Sequence, residues 1–292
     1  MYLVLGSTGY LGSYFVNHLV KKNEAVRGLS RREIDYTDRD QLISFLRTHK
    51  PKFLINAAGY TGKPNVDACE SDQAECIFGN AVLPGRIRTA CEEVGIPWGH
   101  VSSGCIYSGR KSDGGGWTEE DEPNFSFRNG PCSFYSGTKA LGEEVLKDAK
   151  NCYIWRLRIP FNEEKSPRNY LQKLLHYSSL LEAENSISHI DDYINSCLSS
   201  FTQECEPGIY NLTNSGSITT RQVVKWMKEE GVTDKEFNFF ENEEDFMAKA
   251  AITPRSNCVM DTSKAERNGI ALRPVEEAVR QTLRKMREQV LA

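Results

Sequence analysis

The sequence predicts an α/β fold in which a doubly wound parallel sheet is joined to a smaller, mixed α/β lobe on the C-terminal side. Three observations support this prediction. Of the 292 residues, 39% are hydrophobic and 26% are charged, a balance typical of globular proteins. Up to about Pro160, short β-rich runs alternate with helical patterns. Beyond Pro160 the regular alternation breaks down, which indicates a differently built lobe.

In the first half, the predicted strands and helices follow one another in turn. The strands lie at residues 2–5, 25–29, 53–56, 98–102 and 152–157, and the helices at 11–22, 38–48, 74–94 and 135–147. Asp38 stands where an N-cap residue is expected. Residues 108–130 are predicted to be a loop, because Asp113-Gly-Gly-Gly and Pro123 interrupt regular structure. This alternation implies a parallel sheet with helices on both faces.

The second half contains short strand candidates at 186–190 and 208–212 and helix candidates at 221–230 and 275–290. We therefore predict one domain over residues 1–160, to which about 186–205 also belong, and a C-terminal lobe over 161–292.

Composition excludes several classes of partner. Lys and Arg total 36 and Asp and Glu total 40, giving a net charge of −4, so the protein has no overall field that attracts nucleic acid or an anionic membrane. No apolar run approaches the roughly 18 residues of a membrane span, and no signal peptide is apparent. We expect a cytoplasmic protein without nucleic-acid or membrane partners. The sequence is compatible with a homodimer.

The nine cysteines are odd in number and contain no CxxC pair. In a chain without a signal peptide, this pattern indicates reduced thiols rather than disulfides. The five histidines are isolated from the cysteines, so we predict no metal site.

A glycine motif lies between the first predicted strand and the first predicted helix. It reads Gly6-Ser-Thr-Gly9-Tyr-Leu-Gly12, a GxxGxxG spacing rather than GxGxxG. Glycines at this point allow a tight turn and bring backbone N–H groups close to a pyrophosphate. The motif predicts a Rossmann-type dinucleotide site formed by Gly6, Thr8, Gly9, Tyr10, Leu11 and Gly12.

The end of the second strand bears on the choice of cofactor. An acidic residue there would bind the ribose 2′-hydroxyl of NADH, but this chain has Ser30-Arg31-Arg32. Guanidinium groups bind a 2′-phosphate through paired hydrogen bonds. We predict NADPH/NADP as the cofactor, with NADH as the weaker alternative; a solvated basic turn is the other interpretation.

A tyrosine and a lysine four residues apart form the next motif. Tyr135 and Lys139 share one face of a predicted helix, and an adjacent ammonium favours the ionised form of a phenol. Ser103, at the end of the preceding strand, can share the hydrogen bond to a substrate carbonyl that Tyr135 protonates.

Together these motifs resemble the extended short-chain dehydrogenase/reductase family. The resemblance adds Asn56-Ala57-Ala58 and Asn80, and it implies that Asn56, Ala57 and Ala58 border the cofactor. It further implies that Ser103, Tyr135 and Lys139 are catalytic, that Tyr135 and Lys139 also bind the cofactor, and that the C-terminal lobe binds a nucleotide-sugar.

Within that family, residues 35–38, 56–61 and 80–84 most resemble the dTDP-4-dehydrorhamnose reductase branch. Six segments in the same order are similar to the plant-type nucleotide-rhamnose synthases. They span residues 56–67, 104–107, 119–125, 133–139, 167–169 and 254–257. The resemblance implies that Cys105 and Lys173 act as base and acid in epimerisation. It also directs attention to candidate substrate-binding residues: Ser103, Gly104, Cys105, Arg168, Asn169 and Arg255. The alternative for Cys105 is a buried structural cysteine, and the alternative for Lys173 is a solvated helix lysine.

We therefore expect a bifunctional 3,5-epimerase/4-reductase that converts a nucleotide-4-keto-6-deoxyglucose to nucleotide-β-L-rhamnose with NADPH. The alternatives are a monofunctional 4-ketoreductase of the dTDP-4-dehydrorhamnose type and a non-catalytic NADP-binding regulatory subunit. The sequence does not distinguish a uridine from a thymidine nucleotide.

Overall fold

The computed structural model of the chain describes residues 1–291. Its strands are β1 (Tyr2–Leu5), β2 (Val26–Leu29), β3 (Phe53–Asn56), β4 (Trp98–Ser103), β5 (Cys152–Leu157), β6 (Pro160–Phe161), β7 (Ser179–Leu180), β8 (Glu184–Asn185), β9 (Ser188–His189), β10 (Gly208–Asn211), β11 (Ile218–Thr219) and β12 (Asn238–Phe239). Its helices are α1 (Tyr10–Lys21), α2 (Arg39–His49), α3 (Gln73–Ile77), α4 (Leu83–Val94), α5 (Phe134–Val145), α6 (Tyr170–His176), α7 (Ile190–Thr202), α8 (Thr220–Glu229), α9 (Glu243–Ala250), α10 (Ser263–Arg267) and α11 (Val275–Leu291).

Six strands form one sheet in the order β2-β1-β3-β4-β5-β10, and every neighbouring pair is parallel. The predicted doubly wound parallel sheet is therefore confirmed. The order reverses between β1 and β3, and ligands of such sheets bind where the order reverses, outside the carboxyl ends of the strands. The glycine loop follows β1 at this edge.

Both faces of the sheet are buried, which explains why its strands read as continuous apolar runs. Val4 packs with Phe15 of α1 and Tyr193 of α7 on one face. On the other face, Leu3 packs with Leu42 of α2. Successive residues of a strand point to opposite faces, so each strand contributes to both cores.

Capping residues fix where two of the helices begin. The Asp38 carboxylate accepts a hydrogen bond from the N–H of Gln41 at 2.9 Å, which confirms the predicted N-cap of α2. The Ser133 hydroxyl likewise accepts from the N–H of Ser136 at 3.1 Å and caps α5. The predicted helix at 74–94 is present as α3 and α4, joined by a π-helical turn over Phe78–Val82.

The structure corrects the expected place of residues 208–212. They were predicted as a short strand beyond the first domain, but β10 pairs with β5 and completes the main sheet. Helix α7, which packs against α1, is an element that the sequence pattern did not predict. A third core, between α6, α8 and α11, includes Leu171, Val223 and Leu283. The division of the chain at residue 160 stays a prediction.

All nine cysteines are free. Within residues 1–291, no helix has the length and the apolar character needed to cross a membrane.

Candidate active site

The N-terminus of α1 meets the glycine loop at the carboxyl end of β1. Gly6 has a φ of +72°, a left-handed conformation that favours glycine. A methyl group on Gly12 would lie 2.1 Å from the carbonyl oxygen of Gly6, so only glycine allows the helix to pack this closely. Gly9 has no side chain to cap α1, and the first turn contains no acidic residue. The N–H groups and the positive end of the helix dipole therefore favour a phosphate here.

Two clefts adjoin at this edge of the sheet. The first, of about 700 Å³, extends from the glycine loop to Ser30 and Arg31. The second, of about 550 Å³, extends from the glycine loop to Ser103 and Tyr135. The residues that line both clefts include Thr8, Gly9, Ala57, Ala58 and Gly59. Because the clefts share this wall, one extended ligand can occupy both.

Most residues predicted to bind the cofactor line these clefts, namely Gly6, Thr8, Gly9, Tyr10, Leu11, Ser30, Arg31, Ala57, Ala58, Tyr135 and Lys139. Gly12, Arg32 and Asn56 do not line them, and their positions do not support the predicted contact. Gly12 lies behind the loop and Arg32 is exposed. Asn56 is buried; its Oδ1 accepts from the N–H of Ala58 at 3.1 Å and its Nδ2 donates to His100 Nδ1 at 2.9 Å. Asn56 therefore orients the loop that forms the wall.

An acidic residue that the sequence analysis overlooked lies next to Ser30. The Oε2 atom of Glu33 accepts from the backbone N–H of Ser30 at 2.9 Å and from its hydroxyl at 3.1 Å. These two hydrogen bonds lower the pKa of the Glu33 carboxyl, which is ionised at neutral pH. Glu33 thus competes with any other anion for Ser30, while Arg31 stays on the cleft wall.

Tyr135 and Lys139 lie four residues apart on α5. Lys139 is 6% exposed, and its Nζ donates to the carbonyl of Val101 at 3.2 Å. Burial lowers the pKa of Lys139 and raises the pKa of Tyr135 well above its usual value. The YxxxK spacing predicts that the lysine lowers the pKa of the phenol, but in the structure burial outweighs any such effect. Tyr135 is therefore a protonated phenol at neutral pH, the form that can donate a proton.

Ser103 and Cys105 are held by a short turn at the end of β4. Ser103 lines the second cleft and its Oγ accepts from the N–H of Cys105 at 3.2 Å. Cys105 is 7% exposed and does not line the cleft. Burial raises the pKa of the Cys105 thiol; hydrogen bonds with Ser103 and Ser136 and the charge of Arg158 lower it in part. Gly104 is buried in the same turn.

Two basic residues, Arg168 and Lys173, line the second cleft, and Arg255 lies near Lys173 without lining the cleft. The pKa of Lys173 is lowered by burial and then by the charges of Arg168 and Arg255. Arg168 lines both clefts and donates to the hydroxyl of Thr61 at 2.6 Å. Arg255 forms an ion pair with Asp67. A lysine with a lowered pKa gives up its proton more readily, as an acid in a reaction cycle must.

The position of Asn169 does not support the predicted substrate-binding role. Its side chain is fully buried, and its Oδ1 caps α6 by accepting from the N–H of Leu171 at 3.1 Å. Its Nδ2 donates to the carbonyls of Asn162 and Glu164, each at 2.7 Å. With both polar atoms engaged, Asn169 fixes the start of the helix that carries Lys173.

The loop at residues 59–63 is a wall that sequence reasoning missed. Gly59, Thr61 and Lys63 line both clefts. Asn80, in the π-helical turn, holds this loop: its Oδ1 accepts from the N–H of Tyr60 at 3.0 Å and its Nδ2 donates to the Tyr60 carbonyl at 2.8 Å. The sequence offered one signal for this wall: the loop follows β3 directly and therefore lies at the carboxyl edge of the sheet.

Comparison with known families agrees with this geometry. A family model described as the RmlD substrate binding domain matches residues 1–288. The chain belongs to the RmlD substrate binding domain family. The match extends over both the parallel sheet and the C-terminal part that carries Lys173, and it confirms the resemblance drawn from the motifs.

Two relatives from Arabidopsis thaliana are similar to this RmlD-type chain. A bifunctional dTDP-4-dehydrorhamnose 3,5-epimerase/dTDP-4-dehydrorhamnose reductase is 31% identical over 290 residues, which cover 95% of this chain and 90% of the relative. A trifunctional UDP-glucose 4,6-dehydratase/UDP-4-keto-6-deoxy-D-glucose 3,5-epimerase/UDP-4-keto-L-rhamnose-reductase is 31% identical over 284 residues, covering 95% of this chain. The chain spans only 41% of the length of that trifunctional relative.

Two solved structures share the fold. The L780 UDP-rhamnose synthase from Acanthamoeba polyphaga mimivirus superposes with a TM-score of 0.89 at 24% identity, over 98% of this chain and 99% of the other. A dTDP-4-dehydrorhamnose reductase from Bacillus anthracis, solved in complex with NADP, gives a TM-score of 0.79 at 17% identity, over 99% and 97% of the two chains.

Proposed function

We propose that this RmlD-type protein is a bifunctional 3,5-epimerase/4-reductase. Its substrate is a nucleotide-4-keto-6-deoxyglucose with a UDP or dTDP group, and its product is nucleotide-β-L-rhamnose. The observation that carries the proposal is that Ser103, Tyr135, Lys139 and Lys173 line one cleft beside the glycine loop, with Cys105 directly behind Ser103.

Epimerisation requires a base and an acid on opposite faces of the sugar. The ketone at C4 acidifies the protons on C3 and C5, so a base can remove each one and leave an enolate. We assign the base to the Cys105 thiolate and the acid to Lys173. A proton leaves one face of C3 and another returns to the opposite face; the same exchange at C5 completes the change of configuration.

Reduction requires a proton donor at the C4 oxygen. Tyr135 is the donor, because burial keeps its phenol protonated. Ser103 donates a hydrogen bond to the same oxygen. The positive charge of Lys139 stabilises the Tyr135 phenolate that forms. The overall reduction consumes one cofactor hydride and one proton.

The cofactor is NADPH, and the residues present fit it. The uncapped first turn of α1 accepts a pyrophosphate, and Arg31 lines the first cleft where the 2′-phosphate is expected. When bound, NADPH supplies the hydride for C4. Lys139, which lines the second cleft, would hold the nicotinamide ribose. NADH is the weaker alternative. The Glu33 carboxylate is the feature that supports NADH, because it occupies the N–H and hydroxyl donors of Ser30.

One observation favours a monofunctional 4-ketoreductase as the second candidate. Cys105 is 7% exposed and does not line the cleft, which is the position expected of a structural thiol. This candidate keeps the roles of Ser103, Tyr135 and Lys139 and takes a 4-keto-L-sugar that has already been epimerised.

Proton NMR of the product formed in D₂O tests the proposal. UDP-4-keto-6-deoxyglucose and NADPH are incubated with the protein, with the dTDP sugar run in parallel and an enzyme-free sample as control for spontaneous exchange. We expect rhamnose that carries deuterium at both C3 and C5. Product without deuterium at C3 and C5 would exclude the epimerase. No turnover of either D-gluco sugar, together with reduction of UDP-4-keto-L-rhamnose, would leave the monofunctional reductase, and no turnover of any of these sugars would exclude both.

A further inference from the structure

Strand β5 and the residue that follows it carry two buried arginines with opposite surroundings. Arg156 is 2% exposed and is paired with the Glu143 carboxylate, to which its Nη2 donates at 2.6 Å. Arg158 is 4% exposed, but it has no carboxylate within ion-pair distance among the residues that the structure describes. A buried cation without a counter-ion is costly by several kcal/mol, so its retention calls for an anion nearby.

Neutral groups alone hold the Arg158 guanidinium. Its Nη1 donates to the hydroxyl of Ser256 at 3.0 Å, and its Nη2 donates to the Ser256 carbonyl at 2.8 Å and to Oδ1 of Asn185. Its Nε is buried and has no hydrogen-bond partner in the described chain. Arg158 is therefore fixed in position while its charge is uncompensated.

The turn that contains Cys105 packs directly on Arg158. A methyl group on Gly104 would clash with the Met260 side chain and lie 2.9 Å from Cδ of Arg158, so only glycine fits between these two side chains. The same network holds the turn from the other side: the Ser256 hydroxyl donates to the carbonyl of Tyr107 at 2.6 Å. The arginine and the turn thus keep a fixed separation.

Five groups that carry charge or can acquire it face the Cys105 thiol. They are Arg158 after β5, Tyr135 and Lys139 on α5, Cys132 just before α5, and Cys258. The Cys258 thiol donates to the carbonyl of Gly104 at 3.3 Å and is therefore held protonated. Tyr135 is also protonated, because burial raises its pKa. Cys105, whose turn packs on Arg158, is thus the thiol placed to balance the charge of Arg158.

We propose that Arg158 is a positioning residue for epimerisation, whose uncompensated charge stabilises the Cys105 thiolate that removes the C3 and C5 protons. The inference rests on the proposed epimerase function. The protons balance over the cycle: the thiolate becomes a thiol as it takes one from the sugar, Lys173 gives one to the opposite face, and the thiol and amine are reset through solvent.

Three variants separate charge from packing. Arg158→Gln removes the charge, Arg158→Lys keeps it, and Asn185→Asp is isosteric and gives the unchanged Arg158 a carboxylate partner. Deuterium uptake at C3 of UDP-4-keto-6-deoxyglucose is measured against pD without NADPH. Alkylation of Cys105 by iodoacetamide is followed against pH by peptide mass spectrometry, and reduction of UDP-4-keto-L-rhamnose reports on the intact reductase site.

We expect Arg158→Gln and Asn185→Asp to slow exchange and alkylation at neutral pH at least tenfold and to move both profiles to higher pH. A thiol that loses the net positive charge of one nearby cation is ionised less. Arg158→Lys should stay within about threefold of the unchanged protein, and reduction should be retained in all three variants. If Arg158→Gln loses reduction as well, its fold is damaged and Asn185→Asp decides. Unchanged profiles in Asn185→Asp would overturn the inference.

The failure of the proposed function is a different result. If the unchanged protein takes up no deuterium at C3 or C5, the epimerase proposal fails. Alkylation of Cys105 then tests Arg158 by itself, because thiol ionisation is measured without turnover. An alkylation profile that ignores the Asn185→Asp change would exclude the electrostatic role.

Discussion

Burial governs the titratable side chains of the candidate site. It lowers the pKa of Lys139 and Lys173 and raises the pKa of Tyr135 and Cys105. Each shift favours the neutral form of the group, because a poorly solvated charge is unfavourable. Tyr135 benefits directly as a proton donor, whereas Cys105 requires a compensating cation before it can act as a base.

Replacing Cys105 by alanine should separate the two reactions of the proposed enzyme. We expect Cys105→Ala to lose at least about a hundredfold in deuterium uptake at C3 and C5, the range typical of a lost general base. Reduction of UDP-4-keto-L-rhamnose should stay within about threefold, because the thiol has no part in that step. NMR of the two reactions measures both effects.

Cys132→Ala is the matched control for that substitution, since Cys132 is a partly exposed thiol of the same region. It should leave both reactions unchanged. Full deuterium uptake in Cys105→Ala would assign the base to another group and make Cys105 a structural thiol.

Glu33 and Arg31 should shift cofactor preference in opposite directions. Glu33→Gln removes the carboxylate that occupies the Ser30 donors, and we expect it to raise kcat/KM for NADPH relative to NADH several-fold. Arg31→Ala removes a guanidinium from the cleft wall and should lower the same ratio at least tenfold.

Steady-state kinetics with both cofactors measures the ratio, and Arg32→Ala is the control because Arg32 is exposed and does not line the cleft. Equal ratios in the Arg31→Ala and Arg32→Ala variants would contradict the role of Arg31 in binding the 2′-phosphate.

At the scale of elements, one carboxylate fixes the beginning of α7. Burial alone would raise the pKa of Asp192, but hydrogen bonds with His189, Arg273 and Asn214 lower it to about 2. The Nε atom of Arg273 donates to Asp192 at 2.9 Å, and Nδ2 of Asn214 donates at 2.8 Å. The contact joins α7, which packs on the sheet, to the segment that precedes α11.

Asp192→Asn should therefore destabilise the protein in a pH-dependent way. The pKa falls from 3.8 in the unfolded chain to about 2 in the folded one, so ionised Asp192 contributes about 2 kcal/mol to the free energy of unfolding above pH 5. That contribution is lost as the pH falls through the folded pKa, and about half remains at pH 3. Urea denaturation at pH 7 and pH 3 measures it.

The neighbouring Asp191→Asn variant is the control, because Asp191 is exposed. It should change stability by less than about 0.5 kcal/mol at either pH. An Asp192→Asn difference that is the same at pH 7 and pH 3 would show that lost packing, not the ionised carboxylate, is responsible.

The elements that depend on local sequence were predicted well. Periodicity located α1, α2, α5, α8 and α11, and Asp38 marked the start of α2. The partner of a strand was not predictable in the same way. Residues 208–212 have a strand pattern whether they belong to the C-terminal lobe or to the main sheet. Their pairing with β5 depends on contacts between residues more than fifty positions apart in sequence.

At the scale of the whole molecule, the site is assembled from distant parts of the chain. The motifs identified Ser103, Tyr135 and Lys139, and the structure brings them to the wall of one cleft. Asn169 and Asn56 have side-chain types that suit ligand binding, but burial commits them to backbone and side-chain partners within the protein. A sequence shows which groups a residue offers; only the fold shows whether they are already engaged.

Arg168 joins the parts of the molecule that meet at the clefts. It precedes α6, donates to Thr61 in the loop after β3, and lines both clefts. In a protein of net charge −4, local cations on the cleft wall such as Arg168 and Lys63 are the groups that would hold the diphosphate of the proposed nucleotide-sugar. A guanidinium binds phosphate oxygens through two parallel hydrogen bonds, which an ammonium cannot reproduce.

We therefore expect Arg168→Gln to raise the KM for UDP-4-keto-L-rhamnose at least tenfold, with kcat within about threefold, since binding of the diphosphate is the same in the ground state and the transition state. The KM of Arg168→Lys should lie between the KM of Arg168→Gln and that of the unchanged protein. The KM of the unchanged protein should rise with salt concentration, and Arg168→Gln should weaken that dependence. Arg110→Gln, which removes an exposed arginine paired with Glu184, is the control. A KM and a salt dependence equal to those of the control would show that Arg168 binds no phosphate and serves only to connect α6 with the loop after β3.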